Sequence, residues 1–248
     1  TCMGYRPPAY LAKVAATCDH ISGGRIEMGI GGGWYEHEWR AYGYGFPEVG
    51  DRLRMLREGV EIFRQAWTTG KATLDGRYYQ VDGAIVQPRP LQDSPSRIPL
   101  WIAGGGEKVT LRIAAHYADY TNFFGQPDGF ARRAEILAGH CRDLGTDYDR
   151  IVKSSNFNTV VAGTEAEVED KIRALEDRWS KVVPADTVRK MGNDLRNSPA
   201  SGTPEQVAEQ LTRYQQAGLQ YTITYFPDAA YDRSSLEQFA AEVAPALS

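Results

Sequence analysis

Cysteine is scarce in this chain, with three residues in 248: Cys2, Cys18 and Cys141. An odd number without metal-like spacing excludes a disulfide framework and fits buried thiols in a reducing cytoplasm. Four histidines form no HxxxH or similar pair, so no metal site is expected. Positive charge is not in excess. The 28 Lys and Arg against 32 Asp and Glu leave a net charge of −4, so there is no basic field for nucleic acid or an anionic membrane. No apolar run approaches a membrane span and no signal peptide is visible. GxSxG elbow, P-loop and HExxH are all absent, which leaves hydrolytic chemistry little to stand on. Lys153 lies too early on its predicted strand for an aldolase lysine.

What is present is ordinary for a globular protein: 42% hydrophobic and 24% charged residues. The length suits one large α/β domain, 1–248. The chain is organised around GGRIEMGIGGGWYEHE, residues 23–38. A turn leads into an apolar strand, 25–30, which breaks into Gly31, Gly32 and Gly33. Glycines at the carboxyl end of a strand let backbone approach a ligand, and in parallel α/β folds that end carries the site. A plain β-to-α turn is the other reading. Thr1 leads almost at once into a helix signal at Pro7-Pro8, so the chain is expected to open at the end of a strand, as a piece of a longer protein.

Periodicity predicts helices over 8–19 (Leu11, Val14, Ala15, Cys18 inward) and 51–67 (Leu53, Leu56, Val60, Phe63, Trp67 inward). A hairpin is expected around 74–78 within an insertion, 68–98. The strand 99–103 again breaks into three glycines, Gly104, Gly105 and Gly106, before a helix over 107–117. A strand over 119–124, a helix over 128–144 and a strand over 151–161 follow. Thr164 with Glu167 forms a capping box for a helix facing inward through Val168, Ile172, Leu175 and Trp179. Residues 180–202 read as a mobile connection with a short helix near 187–195. Thr203-Pro204 starts another helix, 219–226 is a strand, and Leu236, Phe239 and Val243 define a closing helix. Repeated strand–helix units imply a parallel sheet with helices outside. An open doubly wound sheet competes with a (β/α)8 barrel, but Gly29 to Gly33 lacks the third glycine of a GxGxxG fingerprint. Glycines after successive strands favour the barrel.

Gly104, Gly105 and Gly106 with Lys108 are the best phosphate candidates, because exposed amides at a helix start attract an anion. Asn122 and His37 lie at or just past strand ends. Either can hydrogen-bond a planar heterocycle, and His37 can act as an acid or base; a surface histidine is the alternative. Trp34, Phe123 and Phe124 wall a pocket or belong to the core, with core expected for one phenylalanine. Glu36 and Glu38 do not share a helical face, which speaks against a paired-carboxylate device.

The run YRPPAYLAKVAATCDHISGGRIEMGIGGGWYEHEWRAYGYGFP, residues 5–47, resembles the luciferase-like monooxygenase superfamily, in the branch of oxidoreductases dependent on coenzyme F420 (8-hydroxy-5-deazaflavin). IPLWIAGGGEKVTLRIAAHYAD (98–119), QPRPLQ and SGTPEQVAEQL are similar to the same branch, and the resemblance covers nearly the whole chain. It implies a (β/α)8 TIM barrel of the bacterial luciferase type, lacking the first two to three strands here, with a flavin-type cofactor over its carboxyl rim. By that resemblance Gly104, Gly105 and Gly106 form the phosphate loop. Gly31, Gly33, Trp34 and His37 face the cofactor, and Asn122 lies near its ring. Asp19-His20, at a helix end, is not the family's Asp-His pair. Trp34 holds the place of the glutamate of related dehydrogenases, so His37 and Glu38 are the acid–base candidates. The implied activity is hydride transfer between reduced F420 and a small organic substrate. The alternatives are an FMN-dependent monooxygenase using oxygen and a non-catalytic flavin-binding barrel. A cytoplasmic homodimer is implied.

Overall fold

A computed structural model describes residues 1–92 and 97–247. Its chain forms two units, 1–123 with 132–152, and 124–131 with 153–248.

In the first unit Pro8 opens α1 (Pro8–Ser22) and Gly23, at φ 71°, closes it. Then come β1 (Met28–Gly31), α2 (Glu36–Ala41), α3 (Val49–Thr69), β2 (Lys71–Asp75), β3 (Gln80–Ile85), β4 (Leu100–Ala103), α4 (Thr110–Tyr117) and β5 (Tyr120–Asn122), with most of α5 (Pro127–Leu144). β1, β4 and β5 are parallel neighbours; β2 and β3 form a separate antiparallel hairpin. Thr1-Cys2 runs beside β1: Cys2 bridges Gly31 in parallel, and the Gly31 N–H donates to the Thr1 carbonyl at 3.2 Å. This is the strand end expected there.

Leu56, Val60, Phe63 and Trp67 of α3 are buried, as their spacing predicts. Full burial of an aliphatic or phenyl side chain contributes about 1.5–3 kcal/mol. The Trp67 indole N–H donates to Ala12 of α1 at 3.0 Å, so α1 and α3 are fixed in register as well as packed. Two polar groups organise the insertion. Glu58, buried on α3, accepts the amides of Arg77, Tyr78 and Tyr79 at 3.0, 2.9 and 3.0 Å and so holds the hairpin turn. Asp19, fully buried at the end of α1, accepts from Leu91 N–H and the Gln92 amide, each at 2.8 Å. His20 lies 2.8 Å from the Arg89 carbonyl. Asp19-His20 therefore straps down the QPRPLQ crossing. The last part of the insertion, 93–96, lies outside the described residues.

In the second unit β6 (Val152–Asn158) pairs in parallel with β9 (Tyr221–Tyr225), and β7 (Val160–Val161) with β8 (Ser201–Gly202). The helices are α6 (Glu165–Trp179), α7 (Ala185–Arg196), α8 (Pro204–Gln216) and α9 (Ser234–Gln238). Both threonine capping boxes, Thr164 with Glu167 and Thr203 with Gln206, are formed. Val168, Ile172 and Leu175 share a buried cluster with Val160, Ala162 and Leu195, and Trp179 packs on it.

Four expectations are corrected. The helix expected from residue 107 begins at Thr110, because the Leu111 N–H reaches back to the Gly106 carbonyl in a wide turn that no side chain caps. The strand expected over 151–161 breaks at Thr159, whose N–H turns to the Tyr225 carbonyl at 2.8 Å while Val160 N–H donates to the Ser201 hydroxyl. The short helix expected over 187–195 is longer, because Pro184 precedes it and Arg196 anchors its end. The closing helix widens into a π-turn at Phe239–Val243. That widening shifts the side-chain phase: Val243 is buried but Leu236 is 40% exposed.

Candidate functional site

The register of the first unit brings three strand ends to one level: Gly31 faces Ala103, and Ala103 faces Asn122. In-register parallel neighbours point their side chains to the same side of a sheet. Ile30, Ile102 and Thr121 are buried on one face. The other face carries Gly29 and Gly31, Trp101 and Ala103, Tyr120 and Asn122. Here the Trp101 and Tyr120 rings stack with centroids 4.2 Å apart and planes 8° apart, and the Trp101 indole N–H donates to Glu27 at 2.7 Å. Above this aromatic floor the strands end in small side chains. Gly31 and Ala103 carry no side chain beyond a methyl group, and Asn122 is the polar residue at the same level.

Two glycine loops continue from these ends. Gly33 has φ 78°, and a Cβ there would stand 2.4 Å from Cys2 Sγ and 2.7 Å from Trp39 Nε1. No other residue suits that place. Trp39 itself is buried against Tyr5, Tyr44 and Phe46, with ring centroids 5.1–6.4 Å away, and forms the base of the loop. From α3, Arg52 donates through Nη1 to the Gly33 carbonyl, and its guanidinium lies 4.0 Å from the centre of the Phe46 ring. A charged hydrogen bond of this kind stabilises by about 1.5–3 kcal/mol, and cation–π contact adds about 0.5–2 kcal/mol. The Arg52 Nε is buried without a partner among the described residues.

In the second loop Gly104 has φ 123°, and its N–H donates to the Asn122 carbonyl at 2.8 Å, binding the loop to the end of β5. A Cβ on Gly105 would meet Arg133 Nε at 2.9 Å, and one on Gly106 would meet Thr110 Oγ1 at 2.8 Å. Among the described residues no acceptor takes the N–H of Gly105 or Gly106. These donors, just before α4, are free to bind an anion. The loop is held from behind: His140 lies 2.7 Å from the Glu107 carbonyl, and Arg132 lies 3.2 Å from the Glu107 carboxylate.

Gly31 and Asn122 are therefore at one strand-end level with Ala103, and Gly33, Gly104, Gly105 and Gly106 lie in the loops that leave it. Trp34 is 85% exposed and so is no part of the core. Phe123 is buried and Phe124 is 60% exposed, as expected for one core phenylalanine. His37 is exposed on the first turn of α2, its ring 5.8 Å from that of Tyr35. Glu38 accepts the Tyr5 hydroxyl at 2.7 Å, while Glu36 pairs with Arg40. Burial and the Glu38 carboxylate hold the Tyr5 phenol far above its ordinary range, so it remains a donor. Lys108 lines a groove with Arg57, Arg112 and His116 on the outer side of α4. Sequence reasoning missed Arg52, Trp39 and the Trp101–Tyr120 stack. The signal for the stack was present as period-two alternation in the two strands; the other two depend on contacts distant in sequence.

Comparisons with known proteins show the fold and the family. The pyrimidine monooxygenase RutA of Stutzerimonas stutzeri is 33% identical over 145 residues, covering 56% of this chain and 39% of that protein. The chain thus spans well under two thirds of the length of that relative. An F420-dependent secondary alcohol dehydrogenase, solved with an F420–acetone adduct, superposes with a TM-score of 0.78 at 21% identity, covering 98% of this chain and 76% of that one. EDTA monooxygenase (EmoA) from Chelativorans sp. BNC1 superposes with a TM-score of 0.76 at 19% identity, covering 100% and 71%. At such identities the superpositions establish the fold, an α/β barrel type with a parallel sheet. The sequence profile described as luciferase-like monooxygenase matches residues 1–221, and the chain belongs to the luciferase-like monooxygenase family.

Proposed function

We propose that this protein is a flavin-dependent monooxygenase that holds reduced FMN over the ends of β1, β4 and β5 and oxidises a small organic substrate. The observation that carries this reading is the 33% identity over 145 residues to a pyrimidine monooxygenase. The residues fit such a group. Gly31 and Ala103 leave room for a planar ring, Asn122 offers a carboxamide to its polar edge, and the N–H groups of Gly105 and Gly106 suit its phosphate. When bound, reduced flavin supplies two electrons and activates oxygen; one oxygen atom enters the substrate and the other leaves as water. Arg52 and Trp39 keep the Gly31–Gly33 loop in place. Lys108 lines the groove on the outer side of α4 and is left out of the phosphate site. Exposed Trp34 covers the rim, and His37 serves as proton donor, with Glu38 held by Tyr5. A pyrimidine is the first substrate class to screen. We further propose a cytoplasmic homodimer.

The second reading is hydride transfer from reduced F420, favoured by the motifs of residues 5–47 and 98–119. Trp34 counts against it, because it stands where the resemblance places the glutamate of the dehydrogenases. Oxygen uptake separates the two. With FMN, a flavin reductase, NADH and uracil, the monooxygenase reading expects substrate-dependent oxygen consumption matched by an oxygenated product. Oxygen-independent turnover with reduced F420, and none with FMN, overturns it. His37→Gln is expected to lower turnover about 10²-fold or more while leaving FMN binding unchanged.

A further inference from the structure

A cavity of about 320 Å³ lies on the outer side of the first unit, among α3, α4 and the end of α5. Its walls follow from two stripes of sequence. Lys108, Arg112 and His116 recur at steps of four, and so do Val109, Ile113 and Tyr117 beside them. On α4 Arg112 and His116 stand one turn apart, as do Ile113 and Tyr117, while Lys108 and Val109 lie in the turn just before the helix. One stripe is thus cationic and the other apolar. Leu144 at the end of α5 extends the apolar floor, and Arg57 from α3 adds a third permanent cation to the rim.

An amphipathic helix boundary with solvated charges accounts for part of this, but not for its signs. Lys108 and Arg112 come together at the groove, and α3 contributes a further cation, Arg57, to its lining. Among the described residues no carboxylate lines the cavity. Arg112 has Asp143 only at 4.0 Å, across an exposed pair. Glu61 accepts the Tyr117 hydroxyl at 2.8 Å and Glu107 faces Arg132 at 3.2 Å, and neither is part of the groove lining. In a chain of net charge −4, this concentration of cations around an apolar floor is a local feature.

We infer that this groove is a binding site for a small amphipathic organic anion, a carboxylate, sulfonate or phosphate ester with an aliphatic or aromatic body. The body lies on Val109, Ile113 and Leu144, and the anionic head meets Arg57, Lys108 and Arg112. Guanidinium groups suit such heads, since they bind carboxylate and phosphate oxygens through paired N–H donors. The volume is at the lower end of small-molecule sites. The groove is separate from the strand ends, so the inference stands independently of the cofactor.

Calorimetric titration of the full-length protein with decanoate, octanol and octylammonium tests it, at low and at physiological salt. The expected result is one decanoate per chain, bound at least about tenfold more tightly than octanol, with octylammonium weaker still and the affinity falling with salt. The double variant Arg57→Glu/Arg112→Glu changes exposed side chains only, so its unfolding midpoint should stay the same. Its decanoate affinity should fall about tenfold or more. Decanoate binding that is unaltered in that variant overturns the inference. So does equal binding of octanol, or no binding at low salt.

Discussion

At the scale of single residues, the glycine that ends the first loop is fixed by its surroundings. Gly33 combines φ 78° with a place where a Cβ would stand 2.4 Å from Cys2 Sγ and 2.7 Å from Trp39 Nε1. Gly33→Ala therefore adds backbone strain to overpacking, and about 3 kcal/mol of stability should be lost. Urea unfolding measures this, and an unchanged midpoint would contradict the packing described. The glycine triplet was plain in the sequence, because an apolar run broke into it. Its support was not. Arg52 lies 19 positions away and takes the Gly33 carbonyl from within a helix whose pattern marks arginine as a surface residue. Trp34, beside the same glycines, has the side chain of a pocket wall or a core residue, yet it is 85% exposed in the fold.

At the scale of elements, α6 and α7 are joined by one arginine. Arg196 reaches Glu169 at 2.9 Å and Glu176 at 2.6 Å, and its hydrogen bonds hold both carboxyls below the ordinary range. A depressed folded pKa means that the stabilisation is complete above the unfolded value of 4.5 and fades as pH falls through the lower folded values. The side chains are 23–33% exposed, so screening keeps the contribution modest, about 1 kcal/mol. Arg196→Met should lower stability by that amount at pH 7, with the gap to wild type closing as pH falls below 4.5 through the depressed folded values. Melts across pH check this; a gap independent of pH would show that the clamp is not electrostatic. Apolar periodicity revealed the inward face of α6, and the threonine boxes revealed two helix starts. The length of α7 was not legible, because its anchors lie 20 and 27 positions from Arg196. The late start of α4 was hidden for a similar reason: the glycine loop closes on itself through Leu111 and Gly106.

At the scale of the whole molecule, repeated strand–helix units and glycines after strands made the fold class readable, and the family match bears it out. Strand register was not readable. Nothing in the local pattern states that Gly31, Ala103 and Asn122 end at one level, yet that level makes the site a flat shelf rather than three unrelated loops. The shelf, with the two partnerless N–H groups behind it, is the centre of the account. Its most direct test is a titration of the full-length protein with FMN and F420, each oxidised and reduced, followed by tryptophan fluorescence, since Trp34 adjoins the shelf. The account predicts micromolar binding of reduced FMN, weakened about tenfold or more when Ala103→Phe fills the shelf while the unfolding midpoint stays within a few degrees. F420 binding with little for FMN would contradict the monooxygenase reading, and binding of neither would contradict the shelf as a cofactor site.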